Sequence, residues 1–280
     1  MRLRLALAGL LLLGACAAES DLSADEAGEA LHLPAAHVPG GIYTRICRPA
    51  ARGELPLVVI NHGSPGDASI RPAMRPASCR SEAVRWFTAR GYLVAIPVRR
   101  GYGQTRGPWA EGFGGCARAD YAQAGRETGR DILAAVQAML ARPGVAPHPA
   151  VVVGQSAGGW GALALAAQNP SEVGAIINMA GGRGGRQNDL PDNVCRAENL
   201  VRAAADFGAT ARIPSLWIYA TNDSFFGPDL ARSMAGAWRL SGAPAVLRQM
   251  PPFGRDGHGL FFGAGGSAIW GAEVAAFLLP

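Results

Sequence analysis

From about residue 40 onward, short apolar runs alternate with segments of helical period. "GIYTRICRP" has alternating β character. "LPLVVINHG", Leu55 to Gly63, is an apolar run that ends in a turn, the mark of a buried strand. In "SEAVRWFTARG", Ala83, Val84, Phe87 and Ala89 fall near helical spacing, and Gly91 stops the helix. "YLVAIPVRRGYG" predicts the next strand, which should finish near Pro97 because proline cannot donate to a ladder. A glycine-rich stretch, "GPWAEGFGGCARAD", leads into a strong helix over 121–141. Its apolar set Ile132, Val136, Met139 and Leu140 recurs on one face, and Pro143 follows it. "AVVVGQS" predicts a strand and "AGGWGALALAAQ" a helix of small residues. "VGAIINMAGG", "PSLWIYATND" and "AVLRQMPPFG" are three further strands, with the helix "DLARSMAGAWRLSG" between the last two.

Strands that alternate with helices predict an α/β fold: a doubly wound, mostly parallel sheet flanked by helices. Such sheets bind ligands at the carboxyl ends of their strands. The unusual segments all fall at such ends: "NHGSPGD", "RRGYGQT", "GQSAGG", "AGGRGGRQND" and "ATNDSFF".

The N-terminus reads differently. Arg2 and Arg4 precede the apolar run Leu5 to Leu13, and Gly14, Ala15 and Cys16 follow. Residues 1–15 are a signal peptide, too short for a transmembrane helix. "LGAC" resembles the lipobox of bacterial lipoproteins, which implies a lipid anchor at Cys16 and export to the periplasm or outer membrane; ordinary secretion fits the same residues. Residues 16–36, acidic and small, read as a tether to a catalytic domain over 37–280. Export puts Cys47, Cys79, Cys116 and Cys195 in an oxidising compartment, where they can form up to two disulfides in any of three pairings. No C-x-x-C pair supports a zinc site. At 280 residues, 49% hydrophobic and 17% charged, the chain suits one globular enzyme domain. Its net charge is +5, carried by scattered arginines without a single lysine. With no dense basic block, nucleic acid is not an expected partner.

The candidate chemistry centres on Gly154-x-Ser156-x-Gly158, at the exit of a valine-rich strand into a helix. A serine there is lifted clear of the sheet, and small neighbours permit the tight turn. The bland alternative is a glycine-rich turn with a capping serine. A serine nucleophile needs a base. Of the five histidines, at 32, 37, 62, 148 and 258, only His258 follows Ser156. The acid that orients the imidazole is Asp223, at the end of "LWIYATND", with Asp256 as its rival and Asp229 as a helix cap. Two backbone N–H groups should form an oxyanion hole, that of Ala157 and that of Ser64, with Gly63 beside it and His62 in a structural role. Two long loops should wall the pocket. One carries Trp109, Phe113 and Cys116. The other carries Arg183 and Arg186, which either bind a substrate carboxylate or are solvated loop charges. Tyr102 either faces the site or packs behind it, and Trp160 packs its helix.

Taken together, "NHGSPGD", "RRGYGQT", "GQSAGGWGALALA", "LWIYATND" and "DGHGLF" resemble an α/β-hydrolase of the dienelactone hydrolase-like and prolyl-oligopeptidase-like branch, over roughly residues 40–280. The resemblance implies an eight-stranded sheet and a Ser156–Asp223–His258 triad that works without a cofactor. Two departures matter. Dienelactone hydrolases proper have cysteine at the position of Ser156, and the oligopeptidases carry a large extra domain for which this chain has no room. The expectation is an exported serine hydrolase acting on a small-molecule acyl ester. A peptidase of the same fold and a non-catalytic lipoprotein binding module are the alternatives.

Overall fold

The seven predicted strands all form, and an eighth precedes them in the computed structural model, which describes residues 28–279. The strands are β1 (Glu29–Leu33), β2 (Ile42–Cys47), β3 (Leu57–Asn61), β4 (Leu93–Pro97), β5 (Ala150–Gln155), β6 (Val173–Met179), β7 (Ser215–Ala220) and β8 (Ala245–Met250). They form one sheet in the order β1-β2-β4-β3-β5-β6-β7-β8. β1 and β4 both pair antiparallel with β2, and every other pairing is parallel. Pro97 is the last residue of β4, as its missing N–H requires.

Among the described residues six helices flank the sheet: α1 (Glu82–Thr88), α2 (Tyr121–Leu140), α3 (Ala157–Ala166), α4 (Ala197–Thr210), α5 (Pro228–Leu240) and α6 (Gly266–Leu278). The pleat divides each central strand between two cores. In β3, Leu57 and Val59 enter the core shared with α2 to α5, while Val58 and Ile60 enter the core under α1 and α6. All five residues of β3 are buried, which is why it reads as a continuous apolar run rather than an alternation. α3 is buried along its whole length, and apart from Trp160 it consists of small and aliphatic residues. At Gly161 a Cβ would run into Thr128 of α2.

Three elements were not anticipated. β1 lies inside the stretch read as a tether, so the folded domain begins near residue 29 rather than at 37. "EALHL" carries little strand propensity. It becomes a strand because β2 offers a free edge, Leu33 enters the core, and Arg142 pairs with Glu29 at 2.8 Å. α4 does carry a readable signal: Leu200, Ala203, Ala204 and Phe207 form its buried stripe. α6 is largely apolar and shows no such stripe. Cys16, with the signal peptide and most of the proposed tether, lies outside the described residues. No helix among the described residues is long and apolar enough to cross a membrane.

The cysteines pair as Cys47–Cys79 and Cys116–Cys195. Two disulfides mark an oxidising environment. The first fastens the end of β2 to the segment before α1. The second joins the loop before α2 to the loop before α4.

Candidate active site

Val151 to Val153 drive β5 to the centre of the sheet, and the chain then turns sharply into α3. Ser156 stands on that turn with φ 54° and ψ −120°, a backbone geometry that costs a serine about 1–3 kcal/mol. Its neighbours hold it there. Ser156 N–H donates to Met179 O at 3.0 Å, and its carbonyl accepts from Trp160 N at 3.0 Å and Gly182 N at 3.2 Å. The glycines around it are steric requirements. A Cβ on Gly158 would stand 2.5 Å from Asn61 O, and one on Gly154 would overlap the Gly158 carbonyl.

His258 sits in a single 3-10 turn, Gly257–Gly259, beyond β8. Its Nδ1 lies 3.1 Å from each carboxylate oxygen of Asp223. With that carboxylate ionised, the Nδ1 position carries the proton, and the lone pair is left on Nε2. Asp223 follows β7 and is buried. Its Oδ1 also accepts from the N–H groups of Phe225 at 2.8 Å and Phe226 at 3.0 Å. Phe225 stacks on the imidazole at 4.1 Å and 22°, and Phe226 meets it edge-on at 5.6 Å. Gln155, the residue before Ser156, donates its side-chain amide to the His258 carbonyl at 3.1 Å, which ties the histidine turn to the serine turn.

Asp256 does something else. Its Oδ1 accepts from the backbone N–H of Ser224 and of His258, both at 3.0 Å, and Oδ2 accepts from Ser224 Oγ at 2.6 Å. Burial raises its pKa, but these bonds outweigh burial and hold it below the usual carboxylate range. Asp256 orders the backbone beneath the imidazole. Asp229 lies in the first turn of α5, where it pairs with Arg232.

The loop after β3 presses against the serine. A Cβ on Gly63 would lie 3.0 Å from Ser156 Cβ. Ser64, Ser156 and Ala157 line one cavity together. Ala157 is the first residue of α3, so its N–H has no intrahelical acceptor. His62 spends both ring nitrogens inside the fold: Nδ1 donates to Gly63 O at 2.6 Å, and Nε2 accepts from Arg99 N–H at 3.1 Å. Burial, then the Arg99 charge, lower its pKa to about 3. It is a neutral structural residue.

The cavity measures about 620 Å³, and Trp109, Phe113, Arg183 and Phe225 are among its walls. Arg183 is held by Glu111: it donates to the Glu111 carbonyl and stands 3.6 Å from its carboxylate. Arg186 pairs with Asp189 at 2.8 Å and donates to Ser224 Oγ at 2.8 Å. Of its two expected placements, Tyr102 takes the one behind the wall. It has 0% exposure and is not among the cavity's lining residues. Its ring packs behind the wall, where the turn at Gly101–Gly103 folds it inward.

Glu111 is a further charged residue of the site that no motif in the sequence marks. It is 1% exposed, paired with the buried Arg99 through Nε and Nη2 on one edge of the guanidinium, and close to Arg183. Burial raises its pKa, but Arg99 and then Arg183 override burial and hold it at about 2. A lone glutamate in a glycine-rich loop gives no sequence cue that two arginines will enclose it.

The Cys116–Cys195 bond joins the two cavity walls. Cys195 is anchored by Tyr121, whose hydroxyl donates to its carbonyl, and by its N–H to Gly184 O at 3.0 Å. Closing a loop of that size is worth about 4 kcal/mol in the chain-entropy treatment. The paired variant Cys116→Ser, Cys195→Ser should lose about that much stability in urea denaturation. Its KM should rise more than its kcat falls, because the disulfide braces the cavity walls and bonds to none of Ser156, Asp223 and His258. An unchanged KM would show that the walls hold without the bond.

Residues 56–209, more than half of the chain, match the model of the alpha/beta hydrolase fold, and the protein belongs to that family. The fold and family are those of hydrolases. Similar solved structures agree in architecture. The acylaminoacyl peptidase of Pyrococcus horikoshii superposes with a TM-score of 0.59 at 15% identity, over 82% of this chain and 37% of its own. The Pyrococcus furiosus esterase Pf2001 gives 0.59 at 12%, over 89% and 91%. A provisionally named dienelactone hydrolase of Klebsiella pneumoniae gives 0.57 at 19%, over 90% and 98%. The chain thus spans little more than a third of the peptidase it resembles and nearly all of the two smaller proteins. No curated protein sequence matches it.

Proposed function

We propose that the protein is an exported serine hydrolase that cleaves a carboxylic ester through an acyl-enzyme. The observation that carries this reading is a strained, positive-φ serine at the β5–α3 turn, tied through the neighbouring Gln155 to the turn of a histidine whose Nδ1 is gripped by a buried carboxylate. Ser156 Oγ attacks the acyl carbonyl while His258 Nε2 takes its proton. Asp223 keeps the imidazole in the required tautomer and stabilises its charged form. The N–H groups of Ala157 and Ser64 hold the oxyanion. His258 then protonates the leaving group and activates water to release the acid.

An ester is the preferred substrate because its leaving group asks less of the site than an amine does. Trp109, Phe113 and Phe225 offer an apolar and aromatic wall to the acyl or alcohol part. The oxidising environment that the disulfides mark accords with export, and the "LGAC" segment with a lipid anchor at Cys16 facing the periplasm. A fluorophosphonate probe tests the chemistry. It should label the wild-type protein and fail to label Ser156→Ala. A well-folded wild-type protein that stays unlabelled sinks the enzyme in favour of a binding module. Turnover of short peptide amides but of no p-nitrophenyl ester would make it a peptidase.

A further inference from the structure

We propose that Tyr102, fixed by Glu111, is a positioning residue: it sets the oxyanion-binding N–H of Ser64 and couples that loop to the cavity wall at Trp109. The inference rests on the serine hydrolase reading of Ser156. The Tyr102 hydroxyl has three partners, all at 2.9 Å: Ser64 Oγ, Glu111 Oε2 and Trp109 Nε1. A phenol has a single proton. Indole N–H can only donate and an ionised carboxylate can only accept, so the phenol proton goes to Glu111. The Ser64 hydroxyl must then donate to the phenol oxygen. All three bonds are thereby fixed in direction, and each is fed by the charge on Glu111.

The rest of the loop is held from the same side. Arg99, which pairs with Glu111, also donates from Nη1 to the His62 carbonyl at 2.7 Å and from its backbone to His62 Nε2. The His62 ring packs edge-on against Tyr102 at 4.8 Å. Residues 62 to 64 therefore hang on one buried ionic cluster, through a carbonyl, an imidazole and a hydroxyl. Side-chain tethers do this work because β3 ends at Asn61 and its ladder reaches no further. Burial, then the Glu111 charge, raise the Tyr102 pKa, so the phenol keeps its proton across the working range. Trp109 is the outward end of the same chain of contacts: its ring lines the cavity with the Arg71 guanidinium 3.5 Å above it, while its N–H reports to Tyr102.

The test uses Tyr102→Phe, Ser64→Ala and the double variant, each retaining the backbone N–H groups. An oxyanion donor removed outright costs 100- to 1,000-fold in kcat, so a donor set loose should cost about 10- to 100-fold. Tyr102→Phe should lower kcat by that factor with KM within about threefold, and should weaken inhibition by phenylboronic acid, whose tetrahedral adduct occupies the oxyanion hole, by the same factor. Ser64→Ala should do likewise, and the double variant should be no worse than either single change, because all three break the same bond between Ser64 and the Tyr102 hydroxyl. A fall in melting temperature with kcat and boronate affinity unchanged, or additive losses in the double variant, overturns the proposal. Should the wild-type protein hydrolyse neither ester nor amide, it is the hydrolase reading that fails. The clamp is then judged by hydrogen exchange of the Gly63 and Ser64 amides, which Tyr102→Phe should accelerate at least about tenfold if these bonds govern the loop. Unchanged exchange rates reject it.

Discussion

Ser156→Ala is expected to lower kcat for an ester by roughly a million-fold, and His258→Ala by nearly as much, with little further loss when both are combined. In the proposed mechanism nucleophile and base act on one proton, so removing either removes the whole step. The residual rate should come from the N–H groups of Ala157 and Ser64, which both variants keep. The two aspartates near His258 separate more sharply. Asp223→Asn should cost roughly 10,000-fold, since a neutral amide no longer fixes Nδ1–H or stabilises the imidazolium. Asp256→Asn should cost less than about tenfold, because that side chain bonds only to Ser224 and to the His258 backbone. Steady-state kinetics on one p-nitrophenyl ester, with circular dichroism to check folding, reads all five variants. If Asp256→Asn is the more damaging of the pair, the acid has been misassigned.

The other large effect concerns stability. Glu111→Leu should destabilise the fold by about 3–5 kcal/mol, because it strands the buried Arg99 charge without its partner. At about 2–4 °C per kcal/mol for a chain of this size, the melting temperature should fall by at least about 6 °C. The pH dependence adds a second signature. Glu111 has a depressed pKa in the fold, so its contribution is complete above the ordinary carboxylate value of 4.5 and is lost as pH falls from there toward 2. His62 is held neutral, with a folded pKa of about 3 against an ordinary 6.5. Between those values the unfolded chain binds the proton that the fold refuses, so stability also falls as pH drops from 6.5 toward 3. Urea denaturation of the wild-type protein should therefore show stability declining from pH 6.5 downward and more steeply below 4.5. In Glu111→Leu the steeper portion should flatten, while the decline between 6.5 and 4.5 remains. A variant as stable as wild type at pH 7 would mean that solvent reaches Arg99.

Local sequence determined what depends on local physics. Continuous apolar runs give β3 to β7 because these strands are covered on both faces, and the 3.6-residue stripe gives α2. Glycines at 154 and 158 frame Ser156 because backbone passes within 2.5 Å of where their side chains would be. The serine turn and the loop order of Asp223 and His258 were legible in the same way, since strand ends and glycines have a fixed grammar. Tertiary structure alone decided the rest. β1 exists through its neighbour's free edge rather than its own propensity. The disulfide pairing emerged only when distant loops met. Tyr102 turned away from the cavity, and Glu111 acquired its place, because two arginines from different loops and one phenol converge there. Electrostatic enclosure is a property of the fold in three dimensions, and no spacing along a single chain encodes it.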